Sequence, residues 1–174
     1  MRYILSILIF LLCIFQIKGD KAETVVKSAK SKLGCGYIWS GNGQILTESL
    51  LNELYDKYPD HIDKNIVKKW IGKQVYDCSG FVQKAFKEIK IDLHHNAERA
   101  YKYTKWETKG EMSNYPKDKV FITYRYSKAD EKMVHTGIHI GGGKFIHAKG
   151  SKDGVILESK VSSWTHWGIP KGLY

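Results

Sequence analysis

The sequence predicts an α+β domain in which N-terminal helices pack on an antiparallel sheet, and three observations support this class. Apolar residues recur at spacings of three and four in the first half of the chain, as on one face of a helix. After Pro116 the chain turns to short segments rich in β-branched and aromatic residues, separated by glycine-containing turns. No internal repeat or Pro/Ser-rich linker divides the chain. Helices followed by a run of strands favour α+β over an alternating architecture.

Five helices are predicted before residue 104, each from its apolar face and its end signals. Side chains that can accept a backbone hydrogen bond precede three of them, and glycine or proline follows three. The first predicted helix covers 22–33 and is stopped by Gly34. The second is capped by Thr47 and ends before Pro59, and the third is capped by Asp63 and stopped by Gly72. The fourth follows Asp77 and has an apolar face of Phe81, Val82, Ala85, Phe86 and Ile89, and the fifth covers 96–103.

The second half predicts a meander of strands. The segments 120–126 and 134–140 have strand composition, and Gly141–Gly143 separates the second of them from a third at 144–148. Residues 155–157 form a fourth short strand after Asp153-Gly154. We expect the tail at 164–174 to add a strand at the edge of the sheet.

Composition and charge exclude several classes of protein. The chain has 174 residues, with 28 Lys and Arg against 18 Asp and Glu, a formal net charge of +10. Its three cysteines are too few for a disulfide-stapled miniprotein. The lysines are dispersed, with no zinc-finger spacing, RNA-recognition signature or long basic block, so we predict no nucleic-acid partner. Membranes and wall polymers are other anionic partners of basic exported proteins, and charge alone does not identify a substrate.

Residues 1–19 have the features of a secretory signal peptide. A basic start is followed by the apolar run 3–15, and Gly19 is a small residue suited to cleavage. The alternative is an uncleaved membrane anchor, since Ile17 fits poorly two positions before the cut. We predict cleavage, a mature domain over 20–174 without a membrane span, and a secreted or extracytoplasmic location.

Cys78 lies where a cysteine nucleophile is expected. It stands at the predicted N-terminus of the clearest helix, where unpaired backbone N–H groups and the helix dipole favour the thiolate. Gly80 has no side chain, so another group can approach the first turn of this helix closely. The alternative is a small buried apolar residue, a common role for a free cysteine.

Two histidines flank the glycine-rich turn. In an antiparallel hairpin with an odd-length loop, His135 and His147 share one face, either directly opposite or offset by one pair. One imidazole then acts as base toward Cys78 while the other orients it. A two-residue turn would instead place the two rings on opposite faces.

A metal site is the competing interpretation of these residues. His139 shares a face with His135, so a zinc ion held by Cys78, His135, His139 and His147 is conceivable. No second cysteine or carboxylate has a spacing that completes a known motif, and we predict no metal and no cofactor. The remaining histidines are expected at the surface: His61, His94, His95 and His166.

Three segments together resemble the NlpC family of secreted, papain-like cysteine peptidases that hydrolyse bacterial peptidoglycan. Residues 33–41 (LGCGYIWSG) resemble the family motif LGxxYxWGG, and residues 76–82 (YDCSGFV) resemble FDCSGFV. Residues 135–141 (HTGIHIG) and 145–148 (FIHA) are similar to HVGIYxGNGxxIHA. The motifs occur in the family's order.

The resemblance implies a papain-like fold and a D,L-endopeptidase. Such an enzyme cuts the γ-D-glutamyl–diaminopimelate bond of peptidoglycan stem peptides. By position, Cys78 is the nucleophile, His135 the base and His147 the residue that orients His135. The triad requires no metal or other cofactor.

The resemblance also implies three substrate-binding residues. Asp77 and Ser79 flank the nucleophile, and Tyr37 matches a family tyrosine near it. Hydrogen bonds and charges from such side chains suit a short polar peptide. Helix capping is the alternative role for Asp77 and Ser79, and the two roles are compatible.

The sequence departs from the family pattern in three places. Ser40 replaces the first glycine of WGG, and residues 117–119 (KDK) stand where PGDL is usual. The largest departure is an insertion at about 42–75, whose two predicted helices could form one wall of the groove.

Three other functions compete with the endopeptidase. An N-acetylmuramoyl-L-alanine amidase of related fold usually has an acidic or amide third residue, and His147 argues against it. A catalytically inactive wall-binding domain would not need Cys78, His135 and His147, which are all present. An acyltransferase of similar fold would more naturally face lipid.

Overall fold

The structure is a computed structural model that describes residues 20–174, so the predicted signal peptide at 1–19 lies outside the described residues. The helices are α1 (Asp20–Ser31), α2 (Glu48–Lys57), α3 (Lys64–Val67), α4 (Cys78–Lys87) and α5 (Ala97–Tyr103). The strands are β1 (Gly36–Tyr37), β2 (Asn42–Ile45), β3 (Gln74–Tyr76), β4 (Trp106–Glu111), β5 (Val120–Ser127), β6 (Lys132–Ile140), β7 (Phe145–Gly150), β8 (Gly154–Glu158) and β9 (His166–Pro170). Short 3₁₀ turns connect several of them.

The main sheet is antiparallel and carries six strands in the order β4-β9-β5-β6-β7-β8. Helix α4 packs against β6 and β7, α1 packs against α4, and α5 packs against β6. The core between these layers is built on the apolar face of α4. The face predicted for this helix is buried at Phe81, Val82, Ala85 and Phe86. The α+β class and the papain-like arrangement of helices on a sheet are confirmed.

The segment at about 42–75 builds a second, smaller core. Its buried side chains include Leu46, Leu51, Leu54, Ile62 and Val67, together with Ile38, Trp70 and Val75. Trp70 attaches this core to the main sheet, because its Nε1 donates to the Ser151 carbonyl at 2.8 Å in the β7–β8 turn. The indole also lies against Gly36, where an added Cβ would be 2.6 Å from the ring.

Four helices begin with a side-chain cap, and the sequence predicts three of these caps, at Thr47, Asp63 and Asp77. The side chains of Thr47, Asp63, Asp77 and Asn96 each accept a backbone N–H in the first turn of the following helix. Within the described residues, no helix is both long enough and apolar enough to cross a membrane.

One strand expectation is wrong, and one strand was not predicted. The tail at 164–174 does contribute a strand, but β9 pairs with β5 on one side and β4 on the other, inside the sheet. The edge is β4, which the sequence did not indicate because most of its side chains are exposed and polar. Trp106 of β4 packs over Gly168 of β9, where a Cβ would lie 2.6 Å from the indole.

A three-stranded sheet, in the order β1-β3-β2, was also not predicted. Its strands are two to four residues long, too short to show a periodic pattern. Strand β3 runs directly into Asp77, and β1 lies parallel to it with Tyr37 opposite Tyr76. This small sheet therefore brings residue 37 beside the start of α4.

Candidate active site

Cys78 is the first residue of α4, and Asp77 shapes the turn that presents it. One carboxylate oxygen of Asp77 accepts the Gly80 N–H at 2.7 Å and the Ser79 hydroxyl at 2.8 Å. Gly80 has no room for a side chain, since a Cβ would collide with the Gly41 carbonyl oxygen. The turn is thereby fixed with Cys78 largely buried, at 9% exposure.

The environment of Cys78 disfavours the thiolate, contrary to the expectation from the helix N-terminus. Burial and the negative charge of Asp77 raise the pKa of Cys78 to about 12. Hydrogen bonds from the backbone of Thr136, Ser79 and Cys78 itself act in the opposite direction but do not outweigh them. The free-energy cost of removing water from around a thiolate is therefore larger than the stabilisation that the helix N-terminus provides. Neither Cys35 nor Cys78 forms a disulfide.

The two histidines of the hairpin share one face and touch. Strand β6 pairs with β7 at Ile138–Ile146 and His139–Phe145, and the same register places Gly137 opposite His147. His135 therefore lies one pair away, which is the offset alternative. His135 Nε2 lies 2.7 Å from His147 Nδ1. The predicted hairpin geometry is confirmed.

The hairpin turn explains this register. Gly141, Gly142 and Gly143 all have positive φ, and they form the three-residue loop that the sequence predicts. The Ile140 N–H donates to the Lys144 carbonyl across the loop at 2.9 Å. Gly137 leaves space for the imidazole across from it, because a Cβ there would lie 2.9 Å from the His147 Cβ.

His135 is buried on β6, one residue before the backbone group that contacts Cys78. Thr136, the following residue, contributes the backbone hydrogen bond to Cys78. Burial, with His147 and Arg125 nearby, holds the pKa of His135 well below its usual value. Trp164 stacks on the ring, with centroids 5.5 Å apart and planes within 11°. Sequence analysis did not identify Trp164 here, because it reaches the site from the distant C-terminal segment.

Behind His147 lies a carboxylate that sequence analysis also missed. His147 Nε2 is 3.2 Å from Glu158 Oε2, and Lys149 Nζ donates to Glu158 Oε1 at 2.6 Å. Burial lowers the pKa of His147, although Glu158 acts to raise it. On β8, Glu158 pairs with Phe145 of β7, which places it diagonally across from His147. Only the β7–β8 register brings it here, and the sequence carries no signal for that contact.

The three residues predicted to bind substrate all lie beside Cys78. Burial, Cys78 and Asp77 raise the pKa of Tyr37, so its hydroxyl keeps its proton next to the thiol. Ser79 is buried and its hydroxyl is engaged by Asp77. The capping role of Asp77 is therefore observed.

His95 is part of the site, whereas it was expected at the surface. Its Nε2 lies 2.8 Å from the second carboxylate oxygen of Asp77, and the residue is half-buried. This hydrogen bond raises the pKa of His95 despite its burial. The His94-His95 pair lies between helices, where no periodicity shows which ring points inward.

A cavity of about 630 Å³ opens over Cys78. The segment at about 42–75 provides one wall with Tyr58 and His61, and the His61 ring stacks on Trp39 at 4.1 Å. The other lining residues are Ser40, Asp77, Ser79, His95, the first residues of α5 at 96–99, and Lys132, Met133 and Val134 of β6. The proposed wall at 42–75 is thus present in the structure.

The zinc alternative required His139 as a ligand, and this ring is engaged elsewhere. Its Nδ1 donates to the Lys119 carbonyl at 2.8 Å, and its Nε2 accepts the Gly143 N–H at 3.2 Å. The ring also stacks on Phe121 within the core. Among residues 20–174, no group of three or more His, Cys, Asp or Glu side chains is arranged to hold a metal ion.

Comparison with known proteins agrees with this geometry. The family model described as NlpC/P60 matches residues 67–168, more than half of the chain, and the match contains Cys78, His135 and His147. A relative from Listeria grayi, described as a probable endopeptidase p60, is 31% identical over 96 residues. These residues are 55% of this chain but only 17% of that relative.

Two solved structures share the fold. The peptidoglycan hydrolase RipB from Mycobacterium tuberculosis superposes with a TM-score of 0.58 and 18% identity, over 87% of this chain and 65% of that one. RipD from the same organism, described as a non-catalytic NlpC/p60 domain protein adapted to peptidoglycan binding, has a TM-score of 0.56 and 16% identity, over 87% and 97% of the two chains. The family model covers more than half of the chain, and the fold agrees with it: the chain belongs to the NlpC/P60 family.

Proposed function

We propose that this protein is a peptidoglycan hydrolase, a cysteine endopeptidase that cleaves the γ-D-glutamyl–diaminopimelate bond of stem peptides. The observation that carries the proposal is the hydrogen-bonded pair of His135 on β6 and His147 on β7. Both strands pack against α4, whose first residue, Cys78, lines an open cavity. Residues 20–174 form the catalytic domain, with an insertion at about 42–75. Residues 1–19 act as a signal peptide that directs the enzyme to the extracytoplasmic wall.

The first chemical step is attack of the Cys78 sulfur on the γ-carbonyl carbon of D-glutamate. Because the thiol and His135 are both neutral at rest, His135 removes the thiol proton as the C–S bond forms. General-base assistance of this kind contributes about 10²–10⁴-fold to a rate. The imidazolium of His135 then gives the proton to the amine of diaminopimelate as the C–N bond breaks.

The second step hydrolyses the resulting thioester. A water molecule attacks the acyl carbon, and His135 again accepts and returns the proton, which regenerates the thiol. His147 holds the His135 ring through the 2.7 Å hydrogen bond in both steps. Tyr37 keeps its proton beside the sulfur and can donate to the carbonyl oxygen, which becomes negative during the attack.

Substrate binding is assigned to Tyr37, Asp77 and Ser79 around the nucleophile. The carboxylate of Asp77 already has hydrogen-bond donors in Ser79, Gly80 and His95, so it is held rigidly at the cavity edge. The positive charge of the chain suits an anionic wall polymer. No separate nucleic-acid partner or cofactor is part of the proposal.

The identity of the bond is tested by digestion of purified peptidoglycan that contains diaminopimelate. We expect mass spectrometry to detect fragments ending in L-Ala-γ-D-Glu and a new free amine on diaminopimelate. A thiol alkylator should stop the reaction, and EDTA should leave its rate unchanged.

Other products would assign the protein elsewhere. Free L-Ala amines on intact stem peptides would identify an amidase. Binding to the wall without any released peptide would identify an inactive wall-binding domain. Inhibition by EDTA would restore a metal mechanism.

A further inference from the structure

The hydrogen-bonded chain behind Cys78 does not end at His147 but continues to Glu158 and Lys149. We propose that Glu158 is a positioning residue that fixes the tautomers of both histidines. In this proposal Lys149 partly neutralises the Glu158 carboxylate and so limits the effect of that charge on the base, His135. This inference rests on the proposed function, because it assigns a role in the same Cys-His-His chemistry.

The tautomers follow from the protons that each atom can supply. A carboxylate only accepts hydrogen bonds, so His147 must carry its proton on Nε2, which faces Glu158 Oε2 at 3.2 Å. In neutral His147 the other nitrogen, Nδ1, is then an acceptor. His135 must therefore carry its proton on Nε2, which lies 2.7 Å from that atom. This leaves Nδ1 of His135 without a proton, as a base requires.

Glu158 is ionised in this arrangement. Burial acts to raise its pKa, but hydrogen bonds from Lys149 and His147 outweigh burial and hold the pKa below its usual value. When His135 becomes an imidazolium, its positive charge is two hydrogen bonds from this carboxylate. Glu158 therefore stabilises the protonated base, a role like that of a carboxylate behind the histidine of other triads.

Other charges around the two imidazoles oppose this effect. Arg125 from β5 lowers the pKa of both histidines, and Lys149 from β7 lowers that of His147. From α4, Cys78 is the titratable neighbour and is neutral at rest. Lys149 also interacts with Asp153 in the β7–β8 turn. Glu158 is thus the negative group that faces His147, and Lys149 is its exposed partner.

Two substitutions should shift the pH dependence in opposite directions. Glu158→Gln keeps an acceptor for His147 but removes the charge, so the pKa of His135 falls and the acidic limb of kcat/KM moves to lower pH. The plateau of kcat should fall about 10- to 100-fold, the usual cost of losing a group that orients a histidine, with KM little changed. Lys149→Met removes the positive charge that partly neutralises Glu158. The pKa of His135 therefore rises, and the acidic limb of kcat/KM moves to higher pH.

The control is Glu107→Gln, an exposed glutamate on β4 at the far edge of the same sheet. It should leave the profile unchanged. Glu158→Asp retains the charge and should recover part of the activity lost in Glu158→Gln. If Glu158 had only a structural role, the acidic limb would not move in opposite directions in Glu158→Gln and Lys149→Met.

The tautomers are tested without substrate, by ¹⁵N NMR of the histidine rings in the wild-type protein. We expect both His135 and His147 to carry the proton on Nε2 at neutral pH. An Nδ1–H tautomer of either ring would overturn the proposal, and so would acidic limbs that move in the same direction or do not move. The expected tautomers in a protein that hydrolyses no stem peptide would instead refute the proposed function alone. If Glu158→Gln fails to fold, the NMR spectrum of the wild type and the pH profile of Lys149→Met still test the proposal.

Discussion

Replacing Cys78 with alanine is expected to abolish hydrolysis of stem peptides while the fold remains intact. The substitution removes one sulfur atom from the start of α4, and the capping bonds of Asp77 do not involve that atom. Without the sulfur no thioester can form, so we expect a loss of at least about 10⁴-fold in kcat, as for other enzymes that lose their nucleophile. The rate of peptide release and the circular dichroism spectrum check the two parts of this prediction.

The matched control for this variant is Cys35→Ala. Cys35 is the other free cysteine of the described chain, and it is half-buried without a disulfide partner. This variant should keep activity close to that of the wild type. A Cys78→Ala protein with a native spectrum and activity within tenfold of the wild type would disprove the nucleophile assignment.

The second large effect is an unequal loss in the two histidine variants. His135→Ala removes the base itself, so we expect kcat to fall by about 10²–10⁴-fold. His147→Ala leaves the base in place and removes only the group that holds it at 2.7 Å, so its loss should be smaller. Steady-state rates at one saturating substrate concentration are sufficient for the comparison.

Exposed His94 provides the control, since His94→Ala removes an imidazole outside the cavity lining. That variant should be as active as the wild type. Equal losses in the His135 and His147 variants, or a larger loss in the latter, would contradict the assigned roles.

Local signals predicted much of this fold. Helix caps depend on a few adjacent residues, and Thr47, Asp63 and Asp77 all cap as their side chains indicate. The His135–His147 contact is also local in origin, because loop length fixes which residues of a hairpin share a face. These features could be predicted because the relevant residues are close together in the sequence.

Features that depend on distant pairing were not predictable in the same way. Strand β4 has mostly exposed side chains, and its partner β9 lies more than fifty residues further along the chain. Trp164 and Glu158 reach the histidines only through the packing of the C-terminal third. The pKa of Cys78 is a further case, because the degree of burial that raises it cannot be derived from a position at a helix N-terminus.

The most direct test of the central claim is the mass of the covalent intermediate on Cys78. Enzyme is mixed with a diaminopimelate-containing stem peptide, quenched in acid during turnover, and analysed as the intact protein and as proteolytic fragments. Attack at the γ-carbonyl predicts a thioester on Cys78 that carries an acyl group ending in D-glutamate. Turnover without any adduct on Cys78, or an adduct that contains no D-glutamate, would contradict the account.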